Sequence, residues 1–188
     1  SKIRQAAFTD LFILLLRRFM HHINEIYKLL SEPRKVVITT HQKPDGDAMG
    51  SSLGLFHFLK QFGHQVTVIS PTNWADFLDW MPGCDQVIDY EAKGNRADAF
   101  IDEAEWIFCL DFNVLSRTKK MEEKLLNAKG ERILIDHHRE PQTAVFTYGN
   151  SDINKSSTAE MVYDLIVDSG NADLIDEIIG ECLYAGVM

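Results

Sequence analysis

Two periods of apolar residues divide this chain. Between Phe8 and Leu30 the apolar positions Phe8, Leu11, Phe12, Leu15, Phe19, Ile23, Ile26, Tyr27 and Leu30 recur mostly three or four apart, the spacing of one helix face. The pattern predicts an amphipathic helix that stops before Pro33, whose ring cannot continue it. Leu14, Leu16 and Met20 lie off the stripe, so part of this helix is free to meet a partner; a membrane-surface role is the lesser alternative. Past Pro33 the pattern changes to short apolar runs separated by helical stretches. The runs VVITT (36–40), QVTVIS (65–70), QVID (86–89), WIFCLDF (106–112) and RILIDHH (132–138) read as strands, and FTY (146–148) as an edge strand. Helices are predicted over 48–62, 97–104, 118–128, 157–169 and 173–185, with a short helical turn over 74–81. Ser157 and Glu160 have the spacing of a capping box at the start of the fourth of these helices. Strand and helix in alternation imply an α/β fold: an open, mostly parallel sheet with helices on both faces. Residues 1–32 form the preceding helix, packed on a domain that spans 33–188.

Charge narrows the partners. With 19 basic and 28 acidic residues the net charge is −9, which argues against a broad basic surface for duplex DNA. A small phosphorylated substrate held through cations remains compatible, because bound cations can be the largest charges in a site. Cys84, Cys109 and Cys182 are scattered and odd in number, so no disulfide framework is expected and a reducing cytoplasm is. The run from Leu11 to Leu16 is too short to cross a bilayer and is followed by Arg17 and Arg18, the wrong order for a signal peptide. No membrane association is expected.

The chemistry gathers at strand ends. In open parallel sheets ligands bind beyond the carboxyl ends of the strands. VVITT runs into His41, Asp45 and Asp47, WIFCL into Asp111, and RILI into Asp136, His137 and His138. Taken singly each has a plain reading: Asp47 as an N-cap, His41 as a core histidine, Asp111 as a turn residue. Three strand ends of one polarity carrying the same residue types point instead to a metal site of carboxylate and imidazole. Such ligands without thiolates favour Mn2+, with Mg2+, Co2+ or Fe2+ as alternatives. Asp45, Asp47, Asp111 and Asp136 together match the charge of two divalent ions, and an aspartate can bridge such a pair.

Other residues carry weaker signals. Gly46 is expected to let the chain turn between Asp45 and Asp47, and Gly50 and Gly54 to bring their helix close to the sheet. His21 and His22 are placed on the N-terminal helix, His57 on a helix surface and His64 in a turn. Trp74, Phe77 and Trp80 read as packing rather than as a stacking platform. Arg117 and Arg139 follow strand ends and could hold phosphate.

These segments resemble the DHH phosphoesterase superfamily. HQKPDGDAMGSS is similar to its first motif, CLDFN to its second and LIDHH to its third, while SSTAEMVYDLI resembles the stretch that follows in the nano-RNase and pAp-phosphatase branch. The resemblance covers about residues 20 to 188. It implies that His41, Asp45 and Asp111 hold one metal and Asp47, Asp111 and His137 the other, with Asp111 shared. Asp136 would support the histidines, and His138 would contact the phosphate; Asn113 and Arg117 are further substrate-binding candidates. The implied activity is hydrolysis of short oligoribonucleotides, of 3′-phosphoadenosine 5′-phosphate, or of both, by a water that two metals activate. Cyclic-dinucleotide phosphodiesterase and exopolyphosphatase are alternatives within the superfamily. The family's fourth motif, with a further metal-binding aspartate, and its C-terminal substrate-binding domain are expected beyond Met188. The chain therefore reads as a catalytic domain truncated before that motif and weak or inactive by itself. A homodimer through the N-terminal helix or a sheet edge is compatible with the pattern. Two rivals stand beside this reading. DGD (45–47) could be the nucleophile motif of a haloacid-dehalogenase-like phosphatase, although His41 and the four-residue offset to Asp45 fit that poorly. A metal- or nucleotide-binding module without catalysis is the other.

Overall fold

The apolar runs become strands buried on both faces. The computed structural model describes residues 20–188. Within them seven strands form one all-parallel sheet: β1 (His21–His22), β2 (Lys35–Thr39), β3 (Gln65–Ser70), β4 (Ile88–Asp89), β5 (Trp106–Leu110), β6 (Glu131–Asp136) and β7 (Tyr148–Ser151). Their order across the sheet is β1-β7-β6-β5-β2-β3-β4. The central strands lack a polar alternation because both of their faces are covered. Val36, Ile38, Trp106, Phe108, Ile133 and Ile135 point to one layer, and Val37, Ile107, Cys109 and Leu134 to the other.

Helices α1 (Gly46–Lys60), α4 (Thr158–Asp168) and α5 (Glu177–Val187) cover the first face; α2 (Tyr90–Glu103), α3 (Glu122–Leu126) and the 3-10 turns leading into α3 cover the second. The expected fold class is therefore the one observed. The chain leaves β2 for β3 and β4, then returns on the other side of β2 as β5. This reversal opens a crevice between the carboxyl ends of β2 and β5, the place where such sheets bind ligands.

Several local expectations need correction. The helix expected over 8–30 lies largely outside the described residues, and the part inside is not one helix. His21 and His22 are extended, the His21 N–H donating to the Thr147 carbonyl at 2.9 Å, and a 3-10 helix follows from Ile23 to Leu29. Pairing with β7 satisfies main-chain groups that a helix there would leave at the sheet margin. FTY is not an edge strand: Phe146 is buried at the end of a 3-10 turn, and β7 begins at Tyr148 with β1 outside it. The helix expected over 118–128 begins as 3-10, kinked where Lys119 takes φ 54°, and becomes α only from Glu122 to Leu126. The helix expected over 97–104 starts at Tyr90, capped by Asp89.

Gly50 and Gly54 face α5, not the sheet. A Cβ on Gly50 would lie 2.5 Å from the Cys182 carbonyl oxygen, and one on Gly54 would strike the Leu183 side chain. Gly46 makes no left-handed turn; it opens α1, where a Cβ would approach the Ala185 carbonyl oxygen at 3.2 Å. His64 is buried, donating from Nε2 to the Leu30 carbonyl at 2.7 Å and accepting at Nδ1 from the Arg34 N–H at 3.0 Å. Phe77 and Trp80, expected to pack, are 72% and 61% exposed, while Leu78 between them fills the core. Among the described residues no helix is long and apolar enough to cross a membrane.

Candidate metal centre

Each predicted ligand is delivered by a strand end. Thr40, just past β2, donates its hydroxyl to the Leu110 carbonyl at the end of β5 (2.9 Å), clamping the two edges of the crevice together. The chain then passes His41 and reaches Asp45, which caps α1 by accepting from the Ala48 N–H at 3.0 Å. The cap is thus Asp45, and Asp47 sits in the first turn of the helix. At the end of β5, Asp111 takes φ 64°. This left-handed conformation suits Asp or Asn better than other side-chain-bearing residues. Its N–H donates to the Ile135 carbonyl at 3.1 Å, fixing it against β6. Asp136, His137 and His138 end β6.

These groups converge on Asp111, which is 2% exposed. Its Oδ2 lies 3.3 Å from His41 Nε2, and its Oδ1 lies 3.3 Å from His137 Nε2. Asp45 Oδ1 is 3.9 Å from His41 Nε2, and Asp47 Oδ2 is 3.5 Å from His137 Nε2. They fall into two half-sites that share the Asp111 carboxylate: His41–Asp45–Asp111, and Asp111–His137 with His138 close by and Asp47 against His137. The far nitrogen of each histidine is engaged by main chain: His41 Nδ1 with the Gln42 carbonyl at 2.8 Å and His137 Nδ1 with the Lys155 carbonyl at 3.3 Å. With Nδ1 donating, each Nε2 presents a lone pair to the centre, the tautomer a metal ligand requires.

Electrostatics point the same way. Burial, then the Asp111 charge, push the Asp47 carboxyl up to about 6, although the Thr158 and Ala159 N–H groups oppose the rise. Burial would raise Asp111 as well, but the His41 hydrogen bond and the charges of His41 and His138 hold it below its ordinary value. Burial would lower His41, yet its bond to Asp111 raises it. Crowded carboxylates that stay partly protonated or lean on imidazolium have a demand for positive charge. Divalent cations meet it, and the mixed oxygen and imidazole donor set fits Mn2+-type ions.

The remaining candidates occupy other positions. Asp136 is fully buried and accepts from the His138 N–H at 3.1 Å and from His138 Nδ1 at 2.6 Å. His138 Nδ1 is 3.8 Å from Asp111 Oδ1, but its proton goes to Asp136, so that nitrogen is not a metal donor. Asn113 spends its amide on the Arg139 carbonyl at 2.6 Å, tying the loops after β5 and β6 together. The Arg117 carbonyl accepts from the Gln42 N–H at 2.9 Å, which sets Arg117 beside the first motif, and its guanidinium has no ion pair among the described residues. Thr158, which the sequence does not single out, joins the site. Its hydroxyl donates to Asp111 Oδ1 at 3.1 Å and its N–H to Asp47 Oδ2 at 2.8 Å. Its signal lies in the capping-box stretch, beside Ser157 and two residues before Glu160.

The chain is similar to known proteins over most of its length. A profile of the DHH family, N-terminal domain, matches residues 35–187. The chain is similar to the bifunctional oligoribonuclease and PAP phosphatase NrnA of Thermus thermophilus, 32% identical over 78% of this chain and 40% of that protein. It is also similar to the probable bifunctional oligoribonuclease and PAP phosphatase NrnA of Streptococcus mutans, 27% identical over 81% of this chain and 44% of that protein. A crystal structure of an exopolyphosphatase-related protein from Bacteroides fragilis superposes with TM-score 0.86 at 41% identity, covering 89% of this chain and 49% of its own. The chain thus spans about half the length, or less, of these relatives.

Proposed function

We propose, since the chain belongs to the DHH family, that it is the catalytic part of a phosphoesterase that uses two divalent cations, Mn2+ first among them. The observation that carries this reading is the gathering of His41, Asp45, Asp47, Asp111 and His137 at the crevice between β2 and β5. These five would hold the ions, with Asp111 offering one oxygen to each half-site. Bound there, the cations supply an acidified water and neutralise charge on phosphoryl oxygens.

The chain's own residues do the rest. Main-chain carbonyls of Gln42 and Lys155 keep both ligand imidazoles in the required tautomer. Asp136 holds the His138 ring through Nδ1, leaving Nε2 to meet a phosphoryl oxygen. Arg117, beside the first motif, is the candidate to bind a further phosphate, while Asn113 shapes the rim by holding the Arg139 carbonyl.

Short oligoribonucleotides and 3′-phosphoadenosine 5′-phosphate are the substrates proposed, because two relatives carry those activities in their names. Polyphosphate is the second reading, favoured by the exopolyphosphatase-related structure. The test is turnover by the gene product that carries residues 1–188, loaded with Mn2+ and given diadenylate, 3′-phosphoadenosine 5′-phosphate and polyphosphate in separate reactions. Release of mononucleotide or phosphate, lost on chelation and in Asp111→Ala, is expected. A protein that binds Mn2+ and cleaves none of the three refutes the reading.

A further inference from the structure

We infer that the segment from Lys155 to Glu160 is a positioning element for the cation ligands, keyed by Thr158 and locked by Glu160; the inference rests on the site reading above. The segment reaches three ligands that arrive from three different parts of the chain. The Thr158 and Ala159 N–H groups donate to the two oxygens of Asp47, each at 2.8 Å. The Thr158 hydroxyl donates to Asp111 Oδ1 at 3.1 Å, and the Lys155 carbonyl accepts from His137 Nδ1 at 3.3 Å. Asp47 is therefore gripped at both oxygens, Asp111 at one, and His137 in one tautomer.

Thr158 is fully buried and has a single hydroxyl proton. Giving that proton to Oδ1 fixes the plane of the carboxylate that both half-sites share, and leaves Oδ2 to the His41 side. The β-branch of threonine makes the hydroxyl position stiff.

The segment that presents these groups is itself pinned from behind. Glu160 accepts from the Ser156 N–H and the Ser156 hydroxyl, each at 2.8 Å, and from Lys155 Nζ at 3.3 Å. Lys155 Nζ also lies 2.6 Å from Asp164 one turn further on. Ser157 caps α4 by accepting from the Glu160 N–H at 3.1 Å. In a capping box the Glu reaches back to the N-cap N–H; here it reaches one residue further, to Ser156. That shift stiffens the peptide beside Lys155, whose carbonyl orients His137. Glu160 makes no hydrogen bond or ion pair with any of the five ligands, so its influence passes through the loop. Outer partners of this kind change metal affinity by about 10- to 100-fold.

A purely structural cap would alter the unfolding temperature of the chain and leave cation affinity untouched at temperatures where it is folded. The experiment separates the two. The gene product that carries residues 1–188 is stripped with chelator, and Mn2+ is titrated while the free aqua ion is followed by electron paramagnetic resonance. Wild type, Thr158→Val, Thr158→Ser and Glu160→Gln are compared well below their unfolding midpoints. Thr158→Val should weaken Mn2+ binding by about 10- to 100-fold and Glu160→Gln by roughly 3- to 10-fold, with Thr158→Ser within about threefold of wild type. If Thr158→Val does not fold, Glu160→Gln and Thr158→Ser decide. Wild-type binding with all variants within about twofold overturns the positioning role and leaves the metal centre standing. Thr158→Ser as weak as Thr158→Val also overturns it, because the hydroxyl is then not the key. A wild type that binds no Mn2+ sinks the metal centre and this inference together.

Discussion

Replacing Gly50 and Gly180 by alanine, one at a time, should move stability in opposite directions. Both glycines lie inside helices, α1 and α5, where alanine is intrinsically better by about 1 kcal/mol. A Cβ at Gly180 meets nothing within 4 Å, so Gly180→Ala should keep that gain and raise Tm by roughly 2–4 °C for a domain of this size. At Gly50 the same atom would sit 2.5 Å from the Cys182 carbonyl oxygen, 2.7 Å from the Gly186 nitrogen and 2.9 Å from the Gly186 Cα. All three are main-chain atoms of α5 and cannot swing aside. Restoring ordinary contact requires α1 and α5 to separate by roughly 0.9 Å, an overpacking cost at the upper end of about 1–3 kcal/mol. After the propensity gain about 2 kcal/mol of destabilisation remains, a fall in Tm of roughly 4–8 °C. Because α1 begins with Asp45 and Asp47, the shift should also weaken Mn2+ binding. Thermal unfolding of both variants with chelator, then with Mn2+, is the assay. A Gly50→Ala protein as stable as wild type would refute the close seam between α1 and α5.

Asp111→Asn keeps a residue that accepts φ 64° but removes the charge both half-sites share; Mn2+ affinity should fall more than about 100-fold with the fold intact by circular dichroism, and retained binding would refute the shared role. Asp136→Asn and His138→Ala should each cut turnover by about 10- to 100-fold while Mn2+ affinity stays within about threefold, and the double variant should lose no more than the worse single, since the two act through one 2.6 Å hydrogen bond; additive losses would show independent roles. Without cations, Asp47 titrates at about 6 when folded against 3.8 as its ordinary value, from burial and then the Asp111 charge, so the folded state holds the extra proton and stability falls as pH rises from about 4 to about 6. His41, which burial would lower but Asp111 raises, adds stability that is likewise lost as pH rises through its folded value, whereas the lowered Asp111 contributes stability lost only in stronger acid. Mn2+ requires deprotonated ligands and should reverse the slope; Tm curves measured from about pH 4.5 to about pH 7.5 that run parallel with chelator and with Mn2+ would contradict this.

The sheet was legible because its strands are continuous apolar runs, and such runs survive tertiary context. The candidate site was legible because His41, Asp111 and His137 follow apolar runs directly, so topology alone brings them to one edge. Four things escaped for physical reasons. The seam between α1 and α5 is made of glycines, which carry no hydropathy signal, and Gly50 pairs with Gly186 far along the chain. The extended conformation of His21 and His22 is imposed by pairing with β7, overriding a helical period that depends only on local spacing. Thr158 escaped because its hydroxyl gains meaning only when Asp111 lies 3.1 Å away, a contact set by packing. The exposure of Phe77 and Trp80 likewise depends on Leu78 taking the inward place.

The neighbouring of β2 and β5 also bears on how the molecule reaches its native state. These strands are central partners, yet β3, β4 and α2 are laid down between them, so closing that pair requires contacts of long sequence separation, the kind that slow folding. Every half-site needs Asp111 from β5 together with a residue that follows β2. No partly formed sheet can therefore offer the complete cage, and an ion held there would recognise only chains in which β2 and β5 have paired. An excess of Mn2+ at about 100 times its dissociation constant would deepen the native well by about 2.7 kcal/mol and leave half-built species where they were, so a bound cation would favour the fully assembled sheet over its fragments.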